Sequence, residues 1–236
     1  MEQALGKGHS AVASALNNLG SLYEEQNKDV LAEPLLKRSI DIMDVQGKDH
    51  PKQATTLRNL AGLYTKHDMH ELAEPLYQRA LLIRETALGE EHPHFMDSLN
   101  DLAELYLAQN KPELAEPLYQ RSLSVHEKVL GKGHQQLLVP LLGLVSLYDA
   151  QGKPETAIPL YHRVLALTEK EFGKDHSAVA TILSNLAAAY FRQNKYEEAL
   201  AHFERAFRIL TAESPNGSEA ITILESNING IKATLK

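Results

Sequence analysis

The side chains able to do chemistry in this chain recur on a fixed beat. Of its eleven histidines, five, His9, His50, His92, His134 and His176, follow one another at 41, 42, 42 and 42 residues. Imidazoles can hold a metal ion or move protons. A zinc site needs nitrogen ligands ~2 Å from the ion, however, and stacked helical units stand ~8–10 Å apart. Turns separated by a whole repeat cannot bring these rings to one ion, so the spacing predicts turn and cap residues. His67 with His70, and His92 with His94, are close in sequence but have no third and fourth ligand beside them. The carboxylate pairs Glu24-Glu25, Glu90-Glu91 and Glu197-Glu198 would need burial or a close like charge to tune a general acid. Their positions place them on exposed faces or turns. With no cysteine there is neither a disulfide framework nor a cysteine zinc site, and the glycines recur as helix stops rather than in a phosphate loop. The residues read as a non-catalytic chain with no metal and no cofactor.

The elements behind that beat are helices. Tyr23, Tyr64, Tyr106, Tyr148 and Tyr190 keep the same spacing, as do Leu19, Leu60, Leu102, Leu144 and Leu186, and Ala32, Ala73, Ala115, Ala157 and Ala199. Val12, Leu16, Leu19 and Tyr23 follow the i, i+4, i+7, i+11 stripe of one helix. Gly20, Ala61, Ala103 and Ala187 follow the stripe leucine and admit a second helix closely, with Val145 as the exception. A short polar break such as Gln109-Asn110-Lys111-Pro112 leads to a second periodic stretch, which stops at Leu88-Gly89, Leu130-Gly131 or Phe172-Gly173. His50-Pro51 and His92-Pro93 then open the next pair with proline at the first helical position, while Ser177 offers a side-chain cap. Pro34, Pro75, Pro117 and Pro159 fall inside the second helices and predict a tolerated bend near each helix start. A period of this length means a solenoid whose units bury their apolar faces by stacking.

Leu-Asn-Asn-Leu-Gly-Ser-Leu-Tyr at 16–23, Leu-Ala-Glu-Pro-Leu-Tyr-Gln-Arg-Ala-Leu at 72–81 and Leu-Gly-Glu-Glu-His-Pro at 88–93 resemble tetratricopeptide repeats of the kind found in kinesin light chains and nephrocystin-like proteins. The resemblance implies an all-α, right-handed superhelical solenoid of antiparallel helix pairs. Five pairs are expected at about 9–49, 50–91, 92–133, 134–175 and 176–213 in one array spanning 1–236. Met1 to Gly6 reads as the last turn of a preceding second helix. After a turn at Glu213-Ser214-Pro215-Asn216-Gly217, Ile221, Leu224, Ile228 and Ile231 give a capping helix over about 217–234.

In such arrays the first helices line a concave groove. Carried onto this sequence, the groove positions include Asn17, Asn18 and Ser21, Arg58 and Asn59, Asn100, Asp101 and Glu104, Val139, Leu142 and Ser146, and Asn185, with Lys66 and Arg192 at the rim. The equivalent Asn18, Asn59 and Asn185 form an expected amide ladder able to hold an extended peptide backbone, or alternatively to tie adjacent repeats together. Val139 and Leu142 stand where other repeats carry polar groups, which suggests an apolar pocket. The implied role is a protein-binding scaffold or adaptor for a protein or peptide partner. The alternative is a structural or self-associating module forming a homo-oligomer, or the sensor part of a larger signalling protein.

Charge agrees with protein partners. Thirty-one acidic against 24 basic residues give −7, so no basic footprint for nucleic acid or anionic lipid exists. No apolar run is long enough for a membrane span and no signal peptide opens the sequence, so the expected location is cytoplasmic.

Overall fold

The computed structural model describes residues 6–47, 51–213 and 218–235 and is helical throughout, with no strand among these residues. The expectations for His50, for Met1–Leu5 and for the turn at 214–217 lie outside the described residues. The chain divides into two compact units, residues 1–125 and 126–236. In the first, α1 (Ser10–Glu25), α2 (Asp29–Gln46), α3 (Gln53–Lys66), α4 (His70–Leu88) and α5 (Pro93–Ala108) follow in order, and α6 (Pro112–Leu130) begins. In the second, a 3-10 turn (Gln135–Leu137) leads into α7 (Leu138–Ala150), followed by α8 (Pro154–Phe172), α9 (Ser177–Arg192), α10 (Tyr196–Glu213) and α11 (Glu219–Thr234). Within each unit sequential helices pack on one another, α2 on α1 and α3 in the first, α9 on α8 and α10 in the second.

The periodic small residues work as their positions suggest. Ala61, Ala103 and Ala187 are fully buried, and a Cβ added to Gly20 would lie 2.9 Å from Leu36 on α2. Val145 is also buried, so the fourth repeat accommodates a larger side chain at that position. Leu60 and Leu63 on α3 are 3% and 2% exposed, whereas their counterparts Leu19 and Leu22 on α1 are 40% and 48% exposed. On α11, Ile221, Leu224, Ile228 and Ile231 are buried against the last repeat, which closes that end of the second unit.

Both kinds of turn follow from local chemistry. Inside each repeat one residue adopts the left-handed conformation, Asn27, Asp68, Asn110, Gly152 and Asn194 in turn. The next amide reaches back to the repeat tyrosine's carbonyl, as in Lys28 N to Tyr23 O at 2.8 Å. This closes the first helix with a six-residue hydrogen-bonded loop that satisfies an orphan carbonyl. Between repeats, Gly89, Gly131 and Gly173 take positive φ at the helix stop, and a histidine caps the next helix. The Nδ1 atoms of His9, His92, His134 and His176 each accept a hydrogen bond from the backbone amide two residues on. His176 therefore caps α9 and Ser177 is its first residue, because imidazole Nδ1 can accept the orphan amide as an asparagine oxygen would. Pro93 opens α5 as expected, but α3 starts only at Gln53, two residues after Pro51.

Candidate functional site

In the first unit α1, α3 and α5 carry the candidate groove residues. Hydrogen bonds between neighbouring helices occupy many of them. Asn59 Nδ2 donates to Asn17 Oδ1 at 3.0 Å and to Ser21 Oγ at 2.8 Å, while Asn17 Nδ2 donates to Asn18 Oδ1 at 3.3 Å. The amide at Asn59 thus performs the tying role named as the alternative. Arg58 forks onto both carboxylate oxygens of Asp101, its Nη2 2.9 Å from Oδ1. That bidentate bond holds the guanidinium charged and pushes its pKa further up. Lys66 Nζ bonds Asn27 Oδ1 at 3.1 Å and pairs with Asp29 at 2.9 Å, where it and His67 hold the Asp29 carboxyl below its ordinary range. Asn100 differs from the groove expectation by being buried, 8% exposed, with an Oδ1 that meets no donor. Glu104 and Asn18 remain exposed, and Glu24 is half-buried, its carboxyl raised by desolvation against the opposing pull of Lys66.

In the second unit the face belongs to α7 and α9. Val139 and Leu142 are 56% and 41% exposed, although α7 buries Leu141, Leu144 and Leu147 on its other side. Pro140, between them in sequence, is buried. Ser146 and Asn185 are exposed. Arg192 Nη2 bonds Asp149 Oδ1 at 2.7 Å, and the other Asp149 oxygen accepts from Tyr161.

Three sets of residues were not singled out by the sequence reading. The first is a cationic ladder on the second helices: Arg79 bonds Asp44 at 2.6 Å, Arg121 bonds Glu85 at 2.5 Å, Arg163 bonds Glu127, and Arg205 bonds Glu169 at 2.6 Å. Both columns keep the repeat spacing, so alignment of the copies with attention to charge sign would have found them. The second links three of the repeat tyrosines to the preceding second helix, Tyr64 to Glu33 at 3.1 Å, Tyr106 to Glu74 at 3.3 Å and Tyr190 to His162 at 2.9 Å. His202 stacks on Tyr190, and burial lowers its pKa, with His162 and Arg205 adding repulsion. The third is Arg84, 4% exposed, whose Nη1 donates to Ser98 Oγ at 2.7 Å and His94 O at 3.0 Å. Met43 and Thr168 stand at the same repeat position, which gave a lone arginine no periodic signal. Burial also lifts the Tyr77 phenol up to about 12.

Among the described residues no group of three or more histidines and carboxylates could hold a metal, and no helix is long and apolar enough to cross a membrane. A family model described as tetratricopeptide repeat matches residues 12–86, 52–128, 94–167 and 140–212. Among solved structures, BtubC (BKLC) from P. vanneervenii is similar, with TM-score 0.75 and 24% identity over 89% of this chain and 83% of that one. A putative kinesin light chain from Podosopora anserina with nearly identical TPR-like repeats gives 0.74 and 24% over 87% and 98%. YrrB, a TPR protein with an unusual peptide-binding site, gives 0.60 and 17% over 89% and 90%. No curated protein sequence matches the chain.

Proposed function

This chain belongs to the tetratricopeptide repeat family, and from that premise we propose that it is a non-catalytic scaffold that holds an extended segment of a protein partner along its first helices. One array over residues 1–236 forms the binding surface in this reading. The observation that carries it is the exposure of Val139 and Leu142 on α7. Exposed apolar groups on a recognition face lose water on contact and anchor a ligand. Asn185 on α9 of the same unit is exposed and suits a main chain with polar flanks. The name of the YrrB structure records a peptide-binding site on a neighbour of this fold, which supports the same use here. Peptides selected on the intact chain from a random display library test the reading: Leu142→Asp should weaken them about tenfold or more, and equal affinity would remove it.

A second reading, self-association, has one observation of its own. Leu19 and Leu22 on α1 are open where Leu60 and Leu63 are covered by a neighbouring repeat. Light scattering of the full chain against Leu22→Asp distinguishes it, since a dimer dependent on that face would dissociate.

A further inference from the structure

The second unit contains a cavity of 580 Å³ bounded by α9, α10 and α11. Its apolar wall is Phe191, Phe203 and Ile231, Ala188 and Gly230 keep it wide, and Asn227 stands at its edge. The volume lies within the range of sites that accept small ligands or anchor side chains. Phe191 is 45% exposed despite its aromatic bulk, whereas the other wall aromatic, Phe203, is 5% exposed. Its ring meets Tyr196 edge-on at 5.4 Å, which fixes it at the mouth rather than letting it fold inward.

Gly230 borders this space from α11. It lies in the interior of α11, where glycine weakens a helix relative to alanine. At Gly20 the reason for glycine is visible, because a Cβ would collide with Leu36. At Gly230 a Cβ would meet nothing within 4 Å, and its φ is not in the left-handed region. Neither packing nor backbone conformation calls for glycine there; what it does is leave the cavity open.

The lining also selects its occupant. Arg192, the charged residue on the wall, is already held by Asp149, so a charged ligand group would gain little and would lose its hydration. An aromatic side chain suits two phenylalanine faces, which favour edge-to-face or offset contact with a third ring. We infer that this cavity is an anchor site for an uncharged aromatic side chain of a partner peptide, with α11 serving as one wall of a binding site as well as an end cap. This rests on the scaffold reading, whose first-helix face continues through Ala188 into the cavity.

The test is a titration of the isotope-labelled full chain with N-acetyl-L-phenylalaninamide, read from backbone amide shifts, with N-acetyl-L-lysinamide as the charged control. Saturable shifts at Phe191, Asn227 and Gly230 are expected for the first probe and not for the second. Gly230→Leu fills the space and should weaken the aromatic probe by about tenfold or more while the thermal midpoint holds or rises. Phe191→Ala, which removes a wall without touching α11, should weaken it too. Absence of shifts at these amides, or equal shifts in wild type and Gly230→Leu, would overturn the inference. The two readings fail separately: display-selected peptides that respond to Leu142→Asp but not to Gly230→Leu remove the anchor site alone.

Discussion

Arg84 and Ser98 give the sharpest stability experiment. The guanidinium is 4% exposed and Ser98 is 2% exposed, and no carboxylate among the described residues stands within ion-pair distance of the arginine. Taking such an ion out of water costs several kcal/mol even after relaxation. Each hydrogen bond to a charged group returns about 1.5–3 kcal/mol, so the two from Nη1 roughly balance the loss. Burial lowers the Arg84 pKa, with Arg58 adding repulsion, in keeping with an incompletely compensated charge. Ser98→Ala removes one acceptor but leaves the charge in place and should destabilise by about 1.5–3 kcal/mol. Arg84→Met together with Ser98→Ala removes charge and partner while retaining aliphatic volume, and should be neutral or stabilising by about 1–4 kcal/mol. Coupling between the two changes is therefore large and favourable. Urea unfolding followed by circular dichroism measures it, with hydrogen exchange on α4 and α5 localising the effect if the array unfolds in stages. A double variant less stable than Ser98→Ala alone would refute the reasoning.

Asp68 occupies the left-handed turn position that Gly152 fills in another repeat, so Asp68→Gly should stabilise by about 0.5–1 kcal/mol in thermal unfolding, because glycine carries no Cβ penalty there. Asn59→Ala loses two bonds to Asn17 and Ser21 and should cost about 1–2 kcal/mol of folding stability, whereas a purely ligand-facing amide would leave the unfolding curve unmoved. His202 has a folded pKa below its ordinary 6.5, so the unfolded chain binds the extra proton first; stability is full above that value and falls as pH drops through it toward the folded pKa. Exchange protection of α9 and α10 should show that decline between about pH 7.5 and about pH 5, a range that spans the ordinary histidine pKa, and His202→Phe should flatten it.

What the sequence made legible was the part that repeats. The tyrosine and leucine columns located the first helices, Gly89, Gly131 and Gly173 located the stops, and His9, His92, His134 and His176 were rightly read as turn and cap residues. The atom doing the capping was less legible, since Ser177 is a common cap and His176 is not. Contacts between repeats were harder still. Arg121 and Glu85 are 36 residues apart in sequence, so their pairing follows only once adjacent second helices are laid side by side. Asn59 and Arg58 carry the residue types of a ligand face, but hydrogen-bonding side chains on neighbouring helices can also satisfy one another, and sequence alone does not separate the two outcomes. Arg84 broke its column and left no periodic trace. Val139 and Leu142 were legible because they broke theirs toward the apolar, in a helix whose other faces were already occupied by core leucines.

The scaffold reading stands or falls on one affinity. A peptide selected on the intact chain, titrated by calorimetry against wild type and against Val139→Asp with Leu142→Asp, should lose about tenfold or more in affinity with the unfolding transition unchanged, because both side chains are already exposed. Unchanged affinity in the folded double variant would contradict it.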